Sequence, residues 1–345
     1  MKTFLVTGGC GFIGSHFVRL IFRERPECRV INVDLLTYAG NLANLAEEPE
    51  LGDSQRYRFV RADIADSQAI NAVFASETID VIVNFAAETH VDRSLLDSTA
   101  FLRTNVEGTR VLLEAASRYK AGRFLQVSTD EVYGFLGPSD AAFTESSPLQ
   151  PNSPYAASKA AADLLIRAYV RSYDFPAMIS RCSNNYGPYQ FPEKFLPLFI
   201  TNALDDQPLP LYGDGQQIRE WIHVEDHVRA LLRVVDFGAA GEIYNISTGQ
   251  EETNERMALR VLEVLGKPQT LIRHVEDRPG HDRRYALDAA KIQGELGWKP
   301  SVSLEEGLRS TIAWYRDHRD WWERTKRGEY RNYYQRWYGK RFTRN

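Results

Sequence analysis

Two adjacent carboxylates, Asp130 and Glu131, follow Thr129, and twenty-four residues after Glu131 come Tyr155 and Lys159 at i, i+4. Residues of these types can do acid–base chemistry. A cation one helical turn from a phenol favours the phenolate, so Tyr155 with Lys159 can supply a base near neutral pH. Two carboxyls held close push their pKa values apart, which lets one donate a proton while its neighbour accepts one. Thr129 can hydrogen-bond a substrate hydroxyl in the same place. Taken singly, the signals are weak: most Asp-Glu pairs are solvated turns, and Tyr-x-x-x-Lys occurs by chance on many helices.

The surrounding elements raise their value. Arg123–Ser128 reads as a buried strand, so Thr129, Asp130 and Glu131 leave its C-terminal end, the edge where open α/β sheets bind ligands. Ser153 as N-cap and Pro154 at the first helical position start the Ala-rich helix that carries Tyr155 and Lys159. At the front of the chain, residues 2–7 read as a strand, and Gly8, Gly11 and Gly14 then open a helix whose apolar face includes Phe12, Phe17, Leu20 and Ile21. This G-x-x-G-x-x-G spacing is a variant of the dinucleotide fingerprint. Glycine serves the tight turn and the approach of backbone to pyrophosphate, and the free N–H groups of the helix start face the phosphates.

Asp34 ends a second strand (Arg29–Val33), twenty residues beyond Gly14, where a carboxylate bonds ribose hydroxyls and repels a 2′-phosphate. Leu35 and Leu36 follow, with no arginine for that phosphate, so NAD is favoured over NADP. Tyr57–Arg61 and Asp80–Phe85 read as third and fourth strands with a helix over Ser67–Ser76 between them. Short, doubly buried strands alternating with helices predict a doubly wound parallel sheet. Asp63, at a strand end, either meets an adenine edge or caps a turn, and the small Ala86 and Ala87 let a strand end approach a cofactor. Thr89 and His90 lie in a polar loop at the same end of the sheet, although a lone histidine is more often packed than a ligand. Residues 95–118 read as one helix, in which Asn105 either bonds backbone near the site or faces solvent.

Composition narrows the class. At 345 residues, 43% hydrophobic and 26% charged, the chain predicts one large or two apposed domains without a long disordered region. A net charge of −4 offers nothing to nucleic acid or to a membrane surface, and no apolar run is long enough to span a bilayer. The first residues run straight into the glycine turn, unlike a secretory signal. Cys10, Cys28 and Cys182 have no metal-like spacing and read as reduced thiols of a cytoplasmic protein, with no metal site expected.

With these residues in hand, the chain resembles an extended short-chain dehydrogenase/reductase and, within that superfamily, is very similar to the dTDP-glucose 4,6-dehydratases. The likeness runs from Thr7–Gly14 to about Gly339, through Asp34–Asn41, Ala86–Ser94, Ser128–Gly134, Tyr155–Lys159 and Arg181–Pro188. The Thr129-Asp130-Glu131 triplet is the discriminating stretch, since a simple epimerase or reductase needs no second acid there.

The resemblance implies a bound NAD held by Gly8, Gly11, Phe12, Ile13, Gly14, Asp34, Leu35, Thr37, Asp63, Ile64, Phe85, Ala86, Ala87, Thr104, Tyr155, Lys159 and Asn185. It implies a nucleotide-sugar substrate, dTDP-glucose, met by Thr89, His90, Thr129, Asn184, Lys194, Phe195, Pro210, Tyr212, Arg219, Asn254, Arg278 and His281. Pro210 and Tyr212 would wall the base and Arg219 would fork onto the diphosphate, against the plainer reading of Arg219 and Glu220 as a surface ion pair. Tyr155 would take the 4-hydroxyl proton, Glu131 the C5 proton, and Asp130 would protonate the departing 6-hydroxyl. A cofactor domain over 1–186, rejoined by 219–249, and an interleaved sugar-nucleotide domain over 187–345 are expected, as is a homodimer paired through helices 95–118 and 153–172. UDP-glucose remains open as substrate, with a 4-epimerase and a silent NAD-binding scaffold as weaker readings.

Toward the C-terminus, Pro176–Arg181 and Glu242–Ser247 read as strands, and Val224–Phe237 and Asn254–Leu265 as helices. Asp277–Arg284 read alone is an exposed turn. Ser303-x-x-Glu306 is a capping box that opens a final helix. The aromatic and basic tail, Trp321–Asn345, is expected to pack across the substrate domain and not to bind RNA.

Overall fold

The computed structural model describes residues 1–46, 48, 51, 55–327 and 329–338. The chain begins with β1 (Thr3–Thr7), α1 (Phe12–Glu24), β2 (Arg29–Asp34), β3 (Tyr57–Arg61), α2 (Ser67–Ser76) and β4 (Val81–Asn84). It continues through α3 (Val91–Leu96), α4 (Thr99–Phe101), α5 (Thr109–Arg118), β5 (Arg123–Thr129), α6 (Pro154–Tyr173), β6 (Ala177–Cys182) and β7 (Asn184–Tyr186). Then come α7 (Phe195–Leu204), β8 (Leu209–Tyr212), β9 (Ile218–His223), α8 (Val224–Phe237), β10 (Ile243–Ile246) and β11 (Glu251–Thr253). The last are α9 (Asn254–Leu265), β12 (Ile272–Val275), α10 (Ala290–Leu296), α11 (Leu304–Asp317), α12 (Arg319–Thr325) and α13 (Glu329–Tyr338).

Seven strands form one sheet in the order β10-β6-β5-β4-β1-β2-β3, every neighbouring pair parallel. Both faces are covered. Phe17, Leu20 and Ile21 of α1 and Val228, Leu231 and Val235 of α8 share one apolar cluster, while Val73 of α2, Leu112 of α5 and Ile166 of α6 share another. The strands are therefore apolar on both sides, as the sequence predicts. Order reverses between β1 and β4, so a crevice opens at the ends of these two strands.

Within residues 219–249, β10 pairs with β6 in the large sheet, whereas β9 lies between β11 and β7 in a separate three-stranded sheet. A two-stranded sheet of β8 and β12 and helices α7, α9, α11, α12 and α13 complete the smaller lobe.

Two expectations change. Residues 95–118 are not one helix: Asp97 is extended and its carboxylate accepts from Thr99 N at 2.9 Å, which ends α3 and starts a new helix. That helix carries a π-helical turn over Leu102–Gly108 before α5. The wider turn carries Asn105 inward, where its amide accepts from Glu88 N at 2.9 Å and donates to Glu88 O and Ser158 Oγ at 3.0 and 2.8 Å. Asn105 is buried, so its backbone-bonding reading holds and the solvent-facing one does not. The second change is at the C-terminus. Ser303 caps α11 as expected, its Oγ accepting from Glu306 N, but α12 and α13 follow it, burying Trp322, Tyr333, Trp337 and Tyr338. Residues 339–345 of the tail lie outside the described residues.

Among the described residues no helix is long and apolar enough to cross a membrane, and no group of His, Cys, Asp or Glu is placed to hold a metal ion. The three cysteines are free and buried.

Candidate active site

The crevice at the β1–β4 switch point opens into a cavity of about 300 Å³. Every residue expected to hold the cofactor borders it: the three glycines with Phe12 and Ile13, then Asp34, Leu35 and Thr37, Asp63 and Ile64, Phe85 to Ala87, Thr104, Tyr155, Lys159 and Asn185.

The glycines shape it sterically. Gly8 has φ +70°, and a side chain there would place Cβ 2.7 Å from Ala86 N. A Cβ on Gly14 would stand 2.2 Å from Gly8 O. No side chain caps the start of α1 and no acidic residue occupies its first turn, which leaves that helix end suited to phosphate. Asp34 closes the other side, its two carboxylate oxygens accepting from Leu36 N at 2.8 Å and Cys10 N at 2.9 Å. These residues fit a dinucleotide. Asp63 both caps a turn, through Ala65 N, and borders the cavity, its other oxygen taken by Arg103.

Gly14→Ala is expected to weaken NAD binding about ten- to hundredfold, since forcing a methyl into that contact is overpacking of about 1–3 kcal/mol. Fluorescence titration with NAD checks this, and unchanged affinity would separate the glycine turn from the cofactor.

The reactive groups Thr129, Asp130, Glu131, Tyr155 and Lys159 border this same cavity. Thr129 is the last residue of β5, and Asp130 and Glu131 start a single 3₁₀ turn capped by the Thr129 hydroxyl, which accepts from Glu131 N at 3.3 Å. That hydroxyl donates to Asp130 Oδ1 at 3.1 Å, while Asp130 Oδ2 is buried without a protein partner. Burial and the neighbouring Glu131 push the Asp130 carboxyl up to about 8. Burial also raises Glu131, but Arg278, Arg219 and Lys194 surround it and pull it back. Arg219 opposes the rise at both acids, while Arg278 and Lys194 oppose it at Glu131 alone. Burial and Glu131 thus favour a proton on Asp130 near neutral pH.

Ser153 caps α6, its Oγ accepting from Ala156 N at 3.1 Å, and this sets Tyr155 in the first turn and Lys159 one turn on. The expected lowering of the phenol by the lysine is not what the structure shows. Burial, then Glu131 and Cys182, hold Tyr155 well above its ordinary value, against a hydrogen bond with Thr129. Lys159 donates to Val127 O at 2.7 Å and is itself lowered by burial, with Asp163 opposing. The lysine is thus tied to β5, and burial first, then the acidic groups around Tyr155, set the direction of its shift.

A second cavity, of about 150 Å³, shares Thr89, Glu131, Asn184, Glu193 and Lys194 with the first. Around it stand the other expected substrate residues except Thr129, which borders only the first: His90, Phe195, Pro210, Tyr212, Arg219, Asn254, Arg278 and His281. Lys194 Nζ donates to Thr89 O at 2.7 Å, and Arg278 donates to Asp92 at 3.1 Å. His281 is held by Asp277 at 2.6 Å, so the 277–284 loop is not simply an exposed turn. Arg219 and Glu220 form no ion pair. Arg219 donates to the carbonyls of Ile218 and Asp282 and lies over Tyr285, whereas Glu220 accepts from Gly249 N and Leu287 N. Successive residues of a strand face opposite sides, and both side chains are buried.

Several bordering residues escaped the sequence reading: Tyr38, Glu88, Gln190 and Glu193 in the first cavity, Asp92, Tyr285 and Tyr338 in the second. Asp92 and Glu193 sit beside expected residues, and Tyr330, Tyr333, Tyr334, Trp337 and Tyr338 repeat at helical spacing. Those are signals that could have found them; Tyr285 carries none.

Comparison with known proteins agrees with this geometry. The family model for GDP-mannose 4,6 dehydratase matches residues 5–311. The chain is 50% identical over 351 residues to the dTDP-glucose 4,6-dehydratase of Neisseria meningitidis serogroup B, covering 96% of this chain and 98% of the relative. It is 51% identical over 326 residues to that of Streptomyces niveus, covering 93% and 95%. A crystal structure of the dTDP-glucose 4,6-dehydratase of Streptomyces venezuelae, with NAD bound, superposes with a TM-score of 0.90 at 51% identity over 94% of this chain and all of that one. The likeness extends over nearly the full length of these enzymes, and the chain belongs to the dTDP-glucose 4,6-dehydratase family.

Proposed function

We infer that the protein is an NAD-dependent lyase that converts dTDP-glucose to the 4-keto-6-deoxy sugar nucleotide with loss of one water. The observation that carries this is the pair of unlike acids: Asp130, with one buried oxygen left without a protein partner and raised to about 8 against Arg219 alone, beside Glu131, which faces Arg278, Arg219 and Lys194. A plain oxidation or a 4-epimerisation uses a base at one carbon and needs no such pair.

Each residue then has one task. Thr129 holds the 4-oxygen, and Tyr155 accepts the 4-hydroxyl proton. NAD supplies a reversible two-electron acceptor, drawing from C4 and returning to C6, so none is consumed. A ketone at C4 acidifies the C5 proton, which Glu131 removes while Asp130 gives its own proton to the leaving 6-oxygen. The C5 proton is afterwards returned, and the 4-keto group stays. Lys159, held by Val127 O, borders the same cavity as Tyr155. Asp34, with Leu35 and Leu36 and no arginine following, supports NAD over NADP.

Residues 1–186 with α8 and β10 serve the cofactor, and the smaller lobe serves the sugar nucleotide. The enzyme works as a cytoplasmic homodimer; Leu96, Leu102 and Leu164 are large apolar side chains left exposed on the helices expected to pair.

The test is incubation of the NAD-loaded protein with dTDP-, UDP- and CDP-glucose, with the product's loss of one water followed by mass. Turnover of dTDP-glucose is expected to be the fastest, though the thymine methyl alone is worth only about 1–3 kcal/mol. No water loss from any of them would overturn the reading.

A further inference from the structure

The loop that follows β2 runs along the cofactor cavity, which Leu35, Thr37, Tyr38, Ala39 and Gly40 all border. Its two ends are fixed through the backbone: Leu36 N donates to Asp34 Oδ1 at 2.8 Å, and Asn41 N donates to Cys10 O at 3.0 Å. The middle of the loop is held in another way, through the ring of Tyr38. The Arg93 guanidinium, from α3, lies 4.0 Å from the centroid of that ring. The same guanidinium lies 4.5 Å from the centroid of the Tyr333 ring, in α13. Phe191 meets Tyr38 at right angles, centroids 5.3 Å apart, and Tyr330 of α13 packs on Phe191 in turn at 6.1 Å.

Arginine suits this position. Its charged group is flat and weakly hydrated, so it can lie on an aromatic face and still bond a carboxylate at its edge. Arg93 does both, Nε donating to Oε2 of the buried Glu193 at 2.9 Å. Tyr333 is buried and borders neither cavity, so its ring bears on the cofactor loop through Arg93. The loop is thereby tied to the last described helix of the smaller lobe. A dehydration that takes hydride from the sugar and returns it gains nothing from releasing NAD between turnovers. Such a tie suits a cofactor that is kept.

We propose that Arg93, with Tyr38 and Tyr333, forms a latch that holds the 35–41 loop against bound NAD and sets how fast the cofactor leaves. Tyr38 retains the cofactor, and Arg93 and Tyr333 position Tyr38. This rests on the NAD-dependent reading above and extends it, giving α13 a part in cofactor residence.

The test loads the full chain with radiolabelled NAD and chases it with a large excess of unlabelled NAD, in the absence of sugar nucleotide. Tyr333→Leu should release the label about fivefold faster, the worth of one partly desolvated cation–π contact. Arg93→Lys keeps a charge for Glu193 but loses the flat face, and it should quicken release by a similar factor. Tyr333→Phe keeps the ring and removes the hydroxyl, so it should release like the parent. If Tyr333→Leu and Arg93→Lys release the label at the parent's rate, and only the melting temperature falls, the contacts are structural and the proposal is wrong. If Tyr333→Phe releases as fast as Tyr333→Leu, the hydroxyl that reaches Asp92 is at work and not the ring, and the latch is again wrong. Should Tyr333→Leu fail to fold, Arg93→Lys decides alone. A parent that retains NAD but releases no water from dTDP-glucose would overturn the dehydratase reading, a result distinct from the others because the chase uses no sugar nucleotide.

Discussion

Asp130→Asn is expected to lower the rate of water release from dTDP-glucose by about 10²–10⁴-fold, the usual worth of a general acid. Asparagine keeps the shape and can still accept the Thr129 hydroxyl, so the turn over Asp130–Tyr133 should stand. Only the proton is gone. C4 oxidation and C5 deprotonation use other groups, so substrate recovered from deuterated water should carry deuterium at C5. Elimination at the native rate would remove Asp130 from the role of acid. In the parent enzyme the same group sets an alkaline limit: as pH rises through about 8, Asp130 loses its proton and kcat falls.

Asp130 also bears on stability. Its folded pKa lies above the unfolded value of about 4, so the folded state binds the extra proton between these limits. Stability therefore falls as pH rises from about 4 to about 8. Without cofactor, Asp130→Asn should melt above the parent at pH 9, with the gap closing toward pH 4. The acid is thus kept at some expense to the fold.

Tyr155→Phe should remove both readouts together, with water release and C5 exchange each lower by about 10²–10⁴-fold. The phenylalanine ring keeps the packing against Phe101 and Val91. The contrast with Asp130→Asn is the informative part, because Tyr155 acts before the ketone exists and Asp130 after. C5 exchange that survives in Tyr155→Phe would show another base at the 4-hydroxyl. Because burial and Glu131 hold the phenol high, the parent rate should climb with pH until Asp130 begins to lose its proton.

The legible parts of this protein are those set by local rules. Gly8 and Gly14 are required by contacts with the chain's own backbone, and Asp34 by its place at a strand end, so both could be read from spacing. Ser153 and Pro154 announced the helix that carries Tyr155. What could not be read depends on which surfaces meet in space. The π-helical turn that swings Asn105 onto Glu88 has no marker at residues 102–108. The phenol's direction of shift follows from its burial and then from the carboxylates at the end of β5, not from the lysine on its own helix. Tyr338 reaches the site only because α13 crosses the smaller lobe. Arg219 was nearly misread for a simpler reason: neighbours in a strand do not pair, and strand period two applied to Ile218–His223 would have excluded the ion pair.

The placement of β10 has a consequence for how this molecule can be divided. The large sheet gains its outer strand only after the chain has left it to build β7, α7, β8 and β9, and α8 comes back with it. A cleavage at residue 186 would leave β6 with an open row of backbone donors and acceptors. It would also uncover Val127, Met178 and Phe17 where Val228, Leu231 and Val235 now lie. Such a fragment is a template for aggregation and not a cofactor-binding module. The lobes are stitched through one another, so gene fusion, splitting or exchange with a relative has to carry the stretch through β10 along with the first half.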